Sequence, residues 1–372
     1  MIDSLARVLS LTLKELLAII KDPRGRFTLF VPPILQCLIF GYAATYNLNH
    51  VPYAVLDQDR SAASRELLAR LDGSQIFYRV ADLENAADIQ RHIDERLALL
   101  VLQFDADFER RLQLGQGADV QVIADGRNSN TAGTAQSYVE AIVQTFNADW
   151  RHTHGLPRAP IRAQTRAWFN PNLETRWNMV SAMIGTLTML QTLLLTALSV
   201  ARERENGTFD QLLVTPIRPI ELLAGKALPS ILIGMVQATS ILLVGQFWFH
   251  IPFAGSFVTL YLGFTLFLLA AVGIGLLISS VVATMQQALL FTFVLVLPFT
   301  LLSGFTTPIS SMPKFLQAVT LINPLRYAIN LTHRTYLEGA GISDLVSEYW
   351  PLAIIATVTL SGATWMFRHR LV

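Results

Sequence analysis

From Ala227 to Pro313 the chain runs for 87 residues without a single Asp, Glu, Lys or Arg. Charged residues make up 15% of the 372-residue sequence, so about 13 would be expected there from the average alone. A charge at the centre of a bilayer costs roughly 2.5–3.5 kcal/mol on insertion scales, and a run this long without one is written for lipid. The chain is therefore read as an α-helical polytopic membrane protein in contact with the lipid bilayer.

Other features narrow the chemistry. The net charge is +1 with no basic stripe, which gives no reason to expect a nucleic-acid partner. Cys37 is the only cysteine, so neither a disulfide within the chain nor a cysteine metal site is available. Gly225-Lys226 is followed by Ala227 and lacks the upstream glycine of a phosphate-binding loop. No His-Glu-x-x-His or Gly-x-Ser-x-Gly string occurs, and no catalytic, cofactor-binding or metal residue is nominated. The apolar runs hold essentially no ionisable group for a proton relay, so the energy for any transport has to come from outside the chain.

Residues 1–25 place Leu5, Val8, Leu9, Leu13, Leu16, Leu17 and Ile20 among Arg7, Lys14, Glu15 and Lys21, the spacing of an amphipathic helix on a membrane surface. Residues 26–46 are long enough to cross the hydrocarbon, and the basic residues before them put the N-terminus in the cytoplasm. The composition then changes. Residues 47–176 carry dense Arg, Asp and Glu with alternating strand and helix patterns, which predicts an inserted extracytoplasmic α/β domain and a linker. Asp57, Asp59, Arg60 and Ser61 read there as a turn and helix cap, with ligand binding the less favoured alternative, and His152 and His154 read as solvated linker residues.

Residues 177–372 are predicted to hold transmembrane helices 2–6. Trp177 to Ala201 is uncharged for 25 residues, Arg218 and Lys226 keep the following loop positive, Thr284 caps the fifth helix, and Trp350 to Phe367 forms the sixth. Gln191, Gln237 and Thr188 are polar residues inside the spans, suited to lining a path or to hydrogen bonding between helices. Residues 305–348, broken by Pro308, Pro313 and Pro324, are too interrupted to span, and on the residues alone they read as an amphipathic loop. The prediction is six transmembrane helices with both termini cytoplasmic.

Between the second and third spans lies Arg202-Glu-Arg-Glu-Asn-Gly-Thr-Phe-Asp-Gln-Leu-Leu-Val-Thr-Pro216. Gly207 suits the end of the incoming helix, and Thr208 with Gln211 has the form of a capping box for a new one over 208–215. Phe209, Leu212 and Leu213 share one face before Pro216 ends it. Flanked by Arg202, Glu203 and Glu205, this is either a knob that docks in a soluble partner or a turn on the membrane surface.

The string Glu203 to Pro219, ERENGTFDQLLVTPIRP, resembles the signature after the second membrane helix in permease subunits of type-2 ABC exporters, with Asp210 where that family usually has Glu. Trp168-Phe-Asn-Pro-Asn172 resembles the lead into that helix in the subgroup with a large extracytoplasmic domain, the multidrug-efflux-like exporters. The resemblance implies a coupling helix facing ABC ATPase subunits, and assigns docking to Arg202, Glu203, Glu205, Gly207, Thr208, Phe209, Leu212, Leu213 and Pro216. It implies that ATP and Mg²⁺ are held by the partner ATPase and none by this chain. It also implies a second permease copy or close paralogue, a periplasmic adaptor, re-entrant helices over 305–348, and an inner-membrane location. Drug-like or amphipathic compounds are the implied cargo. The alternative from another class is an ATP-independent receptor or scaffold with a ligand- or partner-binding extracytoplasmic domain.

Overall fold

The computed structural model describes residues 2–43, 48, 50–127, 129–155, 174–207 and 218–370. They fall into two units, Met1–Ala44 with Ala167–Val372, and Thr45–Arg166.

Two helices come first, α1 (Ile2–Lys21) and α2 (Pro23–Ala43). The α/β unit follows with β1 (Val51–Asp57), α3 (Ala62–Asp72), β2 (Phe77–Asp82), α4 (Ala86–Asp94), β3 (Leu100–Phe104), α5 (Phe108–Gln113), β4 (Val120–Ala124) and α6 (Ser129–Thr153). The sheet order is β2-β1-β3-β4, parallel except for the antiparallel edge β4. Side chains alternate across a strand, so β1 sends Val51, Tyr53 and Val55 to a core shared with Leu67, Val139 and Phe146, and Ala54 and Leu56 to a second core with Leu83 and Ile89. A strand covered on both faces is continuously apolar, which is why β1 and β3 lack the alternation of a half-exposed strand. The acidic turn after β1 is taken up locally. Asp57 Oδ1 accepts from the backbone N–H of Asp59 and Arg60 at 3.1 and 2.8 Å, its Oδ2 accepts from Ser64 Oγ at 2.7 Å, and Ser61 caps α3.

The remaining helices are α7 (Thr175–Glu205), α8 (Pro219–Leu243), α9 (Phe257–Val281), α10 (Met285–Leu301), α11 (Lys314–Val319), α12 (Pro324–His333) and α13 (Val346–Arg370). A π-helical turn, Val244–Trp248, continues α8. Among the described residues, five helices are long and apolar enough to cross a membrane: Gly25–Ala43, Thr175–Glu205, Ile220–Trp248, Phe257–Val281 and Ser343–His369. The expected fifth of six, α10, has 17 residues and falls short of that set. At 1.5 Å per residue it covers about 26 Å, against a hydrocarbon core of about 30 Å. Thr284 does cap its start, accepting from the Gln287 N–H at 3.3 Å, but the helix stops at Leu301 instead of continuing toward Gly304, which takes φ +90°.

The last helix begins at Val346 rather than Trp350. It takes in Glu348, whose carboxylate accepts from Asn330 Nδ2 at 2.7 Å. The interrupted segment before it is not a loop lying over the helices. α12 sends Leu325, Ala328, Ile329 and Leu331 into the main helical core, and Asn323 fixes its start by accepting from the Leu325 N–H at 3.0 Å while donating to the Phe299 carbonyl at 2.7 Å.

Candidate functional site

The charged run at the end of α7 sits where several helices terminate. Successive residues on a helix point about 100° apart, so four consecutive charged side chains face four directions. Arg202 is exposed. Glu203 turns inward, and its Oε2 lies 2.7 Å from Lys226 Nζ on α8. Arg204 donates to the carbonyls of Ser280 and Val282 at the end of α9, at 3.3 and 3.1 Å, and stands over the Phe367 ring of α13. Glu205 accepts from the Met285 N–H at 2.8 Å, supplying an acceptor and a negative charge at the start of α10. One charged turn therefore touches the ends of α9, α10 and α13 and a residue two turns into α8.

Lys226 is the centre of this frame. Its side chain is 1% exposed, with Glu203 at 2.7 Å, Glu15 of α1 at 3.4 Å and Ser199 Oγ at 3.2 Å; the two carboxylates are 12% and 18% exposed. It is thus not a free charge of a positive loop, as the sequence suggested, but a buried ammonium inside α8. It can lie beside the charge-free run because Glu203 and Glu15 balance its charge.

A second contact ties α1 to α8. Glu221, buried one turn into α8, accepts from Ser4 Oγ at 2.6 Å, from Arg7 Nη2 at 3.2 Å and from the Arg218 N–H at 3.1 Å. The amphipathic helix is therefore held by Ser4 and Arg7 together with Leu11, which packs among Leu222, Leu223 and Ala227, while Leu5, Leu9, Leu13 and Leu17 are exposed.

Of the residues assigned to docking, Arg202, Glu203, Glu205 and Gly207 are described. Gly207 takes φ +69°, the left-handed conformation suited to glycine after a helix end. Thr208, Phe209, Leu212, Leu213 and Pro216, with the helix expected over 208–215, lie outside the described residues, as does the Trp168 to Asn172 string. Sequence reasoning missed Lys226, Glu15 and Arg204 as parts of one arrangement and Glu221 as part of another; for Lys226 and Arg204, their place at the border of a charge-free run was the signal available.

A unit whose described residues include five helices long and apolar enough to cross a membrane, interrupted after the first by an α/β insertion, defines a polytopic membrane protein. Residues 24–365 match the ABC-2 family transporter proteins, and the chain belongs to that family. It is 38% identical to the probable multidrug ABC transporter permease YbhR of Escherichia coli strain K12, over 98% of this chain and 99% of that one. It is 34% identical to the probable multidrug ABC transporter permease YbhS of the same strain, over 98% and 97%. The linearmycin resistance permease protein LnrN of Bacillus subtilis strain 168 is 24% identical over 96% and 98%. The chain is thus a multi-pass permease of an ABC transporter.

Proposed function

We propose that this permease is the membrane half of an ATP-driven exporter that moves amphipathic or drug-like compounds out of the cytoplasm or the inner leaflet. Two ATPase subunits, carrying the ATP and Mg²⁺, dock on Arg202, Glu205 and the 207–216 segment, while Glu203, assigned to docking from the sequence, is turned inward onto Lys226 and braces that surface from behind. A second copy or a close paralogue completes the path. In this reading α10 serves as a sixth, short span, both termini are cytoplasmic in an inner membrane, the α/β unit lies outside where an adaptor would meet it, and α11 and α12 are re-entrant at the exit side.

The observation that carries the reading is the convergence of Glu203, Arg204 and Glu205 on the first part of α8 and the ends of α9, α10 and α13. A displacement of the connection they begin is handed to most of the bundle at once. A receptor or scaffold needs only an anchor, and such a frame has no use there.

The test is copurification. The tagged chain is extracted gently from native membranes and ATP hydrolysis is measured beside a Leu212→Asp, Leu213→Asp variant. An ATPase that accompanies the native chain and is lost or uncoupled in the folded variant supports the reading. A folded native chain that brings down no ATPase sinks it.

A further inference from the structure

The seam between α7 and α8 is fixed at three levels. Lys226 Nζ is 3.2 Å from Ser199 Oγ near the charged frame. Further along, a methyl group placed on Gly234 would come within 2.8 Å of Thr192 Oγ1. Beyond that, one placed on Gly245 would come within 3.2 Å of a Val180 methyl. The helices run antiparallel, one counting down as the other counts up. Thr188, four residues from Thr192, therefore stands level with Gln237 and Ala238, three and four residues from Gly234.

At this height both helices carry polar side chains sealed from solvent. Gln237 is 2% exposed, and Thr188 and Thr192 are fully buried. Both amide atoms of Gln237 and both threonine hydroxyls make no hydrogen bond among the described residues. Thr196, one turn away, shows the ordinary solution for a hydroxyl in an apolar helix, donating back to the Thr192 carbonyl at 2.7 Å. Hydrogen bonding between helices, one sequence reading of Gln237 and Thr188, is thus not what they do in this conformation. A buried polar group without a partner has lost its hydration with nothing in return, so the closed seam is opposed by its own contents. The two helices that form it are also the two joined by the 206–218 connection.

We infer that the α7–α8 seam parts during the transport cycle, and that Gln237, Thr188 and Thr192 then form an uncharged hydrogen-bonding patch of the transport path. The inference rests on the exporter reading above. With no Asp, Glu, Lys or Arg between Trp177 and Ala201 or between Ala227 and Pro313, the patch suits hydroxyl, carbonyl or amide groups of a neutral amphiphile rather than a full charge.

The test uses the permease–ATPase complex. Cys37, the single native cysteine, is replaced by Ser, and Gln237→Cys is introduced. Reaction with a small water-soluble methanethiosulfonate is timed without nucleotide and in ATP with vanadate. Cys37→Ser alone gives the background, and Leu232→Cys, on the exposed face of the same helix, controls for general loosening. The expected result is labelling at position 237 that is severalfold faster in the vanadate-trapped state, with position 232 unchanged. In parallel, Gln237→Leu removes the unpartnered amide and is expected to raise the melting temperature of the nucleotide-free complex by a few degrees. Equal labelling in both states of a complex that hydrolyses ATP overturns the inference while leaving the exporter reading intact. A lowered melting temperature for Gln237→Leu also overturns it, because the amide is then satisfied in the closed state. Absence of any ATPase overturns both readings.

Discussion

The α/β unit and the membrane unit use the same charged residue types in opposite ways. In the first, ion pairs such as Arg70 with Glu66 and Asp149, at 2.7 Å each, lie on the surface around cores that are complete without them. In the second, Lys226, Glu203 and Glu15 are withdrawn from water and join three helices from distant parts of the sequence. Exposed pairs are worth about 0–1 kcal/mol because water and salt screen them. A buried charge that loses its partner carries an uncompensated desolvation penalty, so breaking such a set costs about 3–5 kcal/mol. Charge in the first unit decorates a fold; in the second it registers one.

The most severe way to break this contrast is Lys226→Met, which strands two carboxylates and is expected to lower stability by about 3–5 kcal/mol, read as a large drop in melting temperature in detergent. Adding Glu203→Gln and Glu15→Gln should recover most of that loss, because the stranded charges are gone. Failure of the triple variant to recover would show that the ammonium is needed for something beyond charge balance.

Smaller effects are expected in the α/β unit. Tyr53 is fully buried, donates its hydroxyl to Asp72 and accepts from Arg79 at 3.3 Å. Tyr53→Phe removes those bonds but leaves Arg79 and Asp72 paired at 2.6 Å, so hydrogen exchange in β1 and β2 should report a loss of about 1 kcal/mol. Arg70→Ala loses two exposed pairs and a position over the Phe146 ring, and should cost less than about 1 kcal/mol, diminishing further in high salt.

The smallest effect is pH-dependent. Hydrogen bonds from Arg127 hold the Asp125 carboxyl below the usual carboxylate range. A lowered folded pKa stabilises above the unfolded value, about 3.9, and the contribution fades as pH falls through the folded one. Asp125→Asn should therefore speed exchange in the loop after β4 slightly at neutral pH, with the difference vanishing in strong acid.

Much of this was legible in the residues. The α/β character of the inserted unit was readable because strand and helix periods and the Ser61 cap are local signals. Thr284 was readable as a cap for the same reason. Lys226 was misread as a loop charge because its neutralising partners are Glu203, 23 positions earlier, and Glu15, at the other end of the chain. The start of α13 lies four residues before the expected Trp350 because Asn330 supplies a donor that makes burial of Glu348 tolerable within the helix.

The sequence by itself determined that this protein lives in lipid, that an α/β unit interrupts its helices, and which segment joins α7 to α8. Those conclusions follow from composition and short-range periodicity, which each stretch carries alone. Only the tertiary structure decided which charges are exposed and which are spent, that one charged turn holds four helices together, and that Gln237, Thr188 and Thr192 are buried without partners among the described residues. Each of those depends on what another part of the chain brings within about 3 Å, the reach of a hydrogen bond, and no local pattern encodes it.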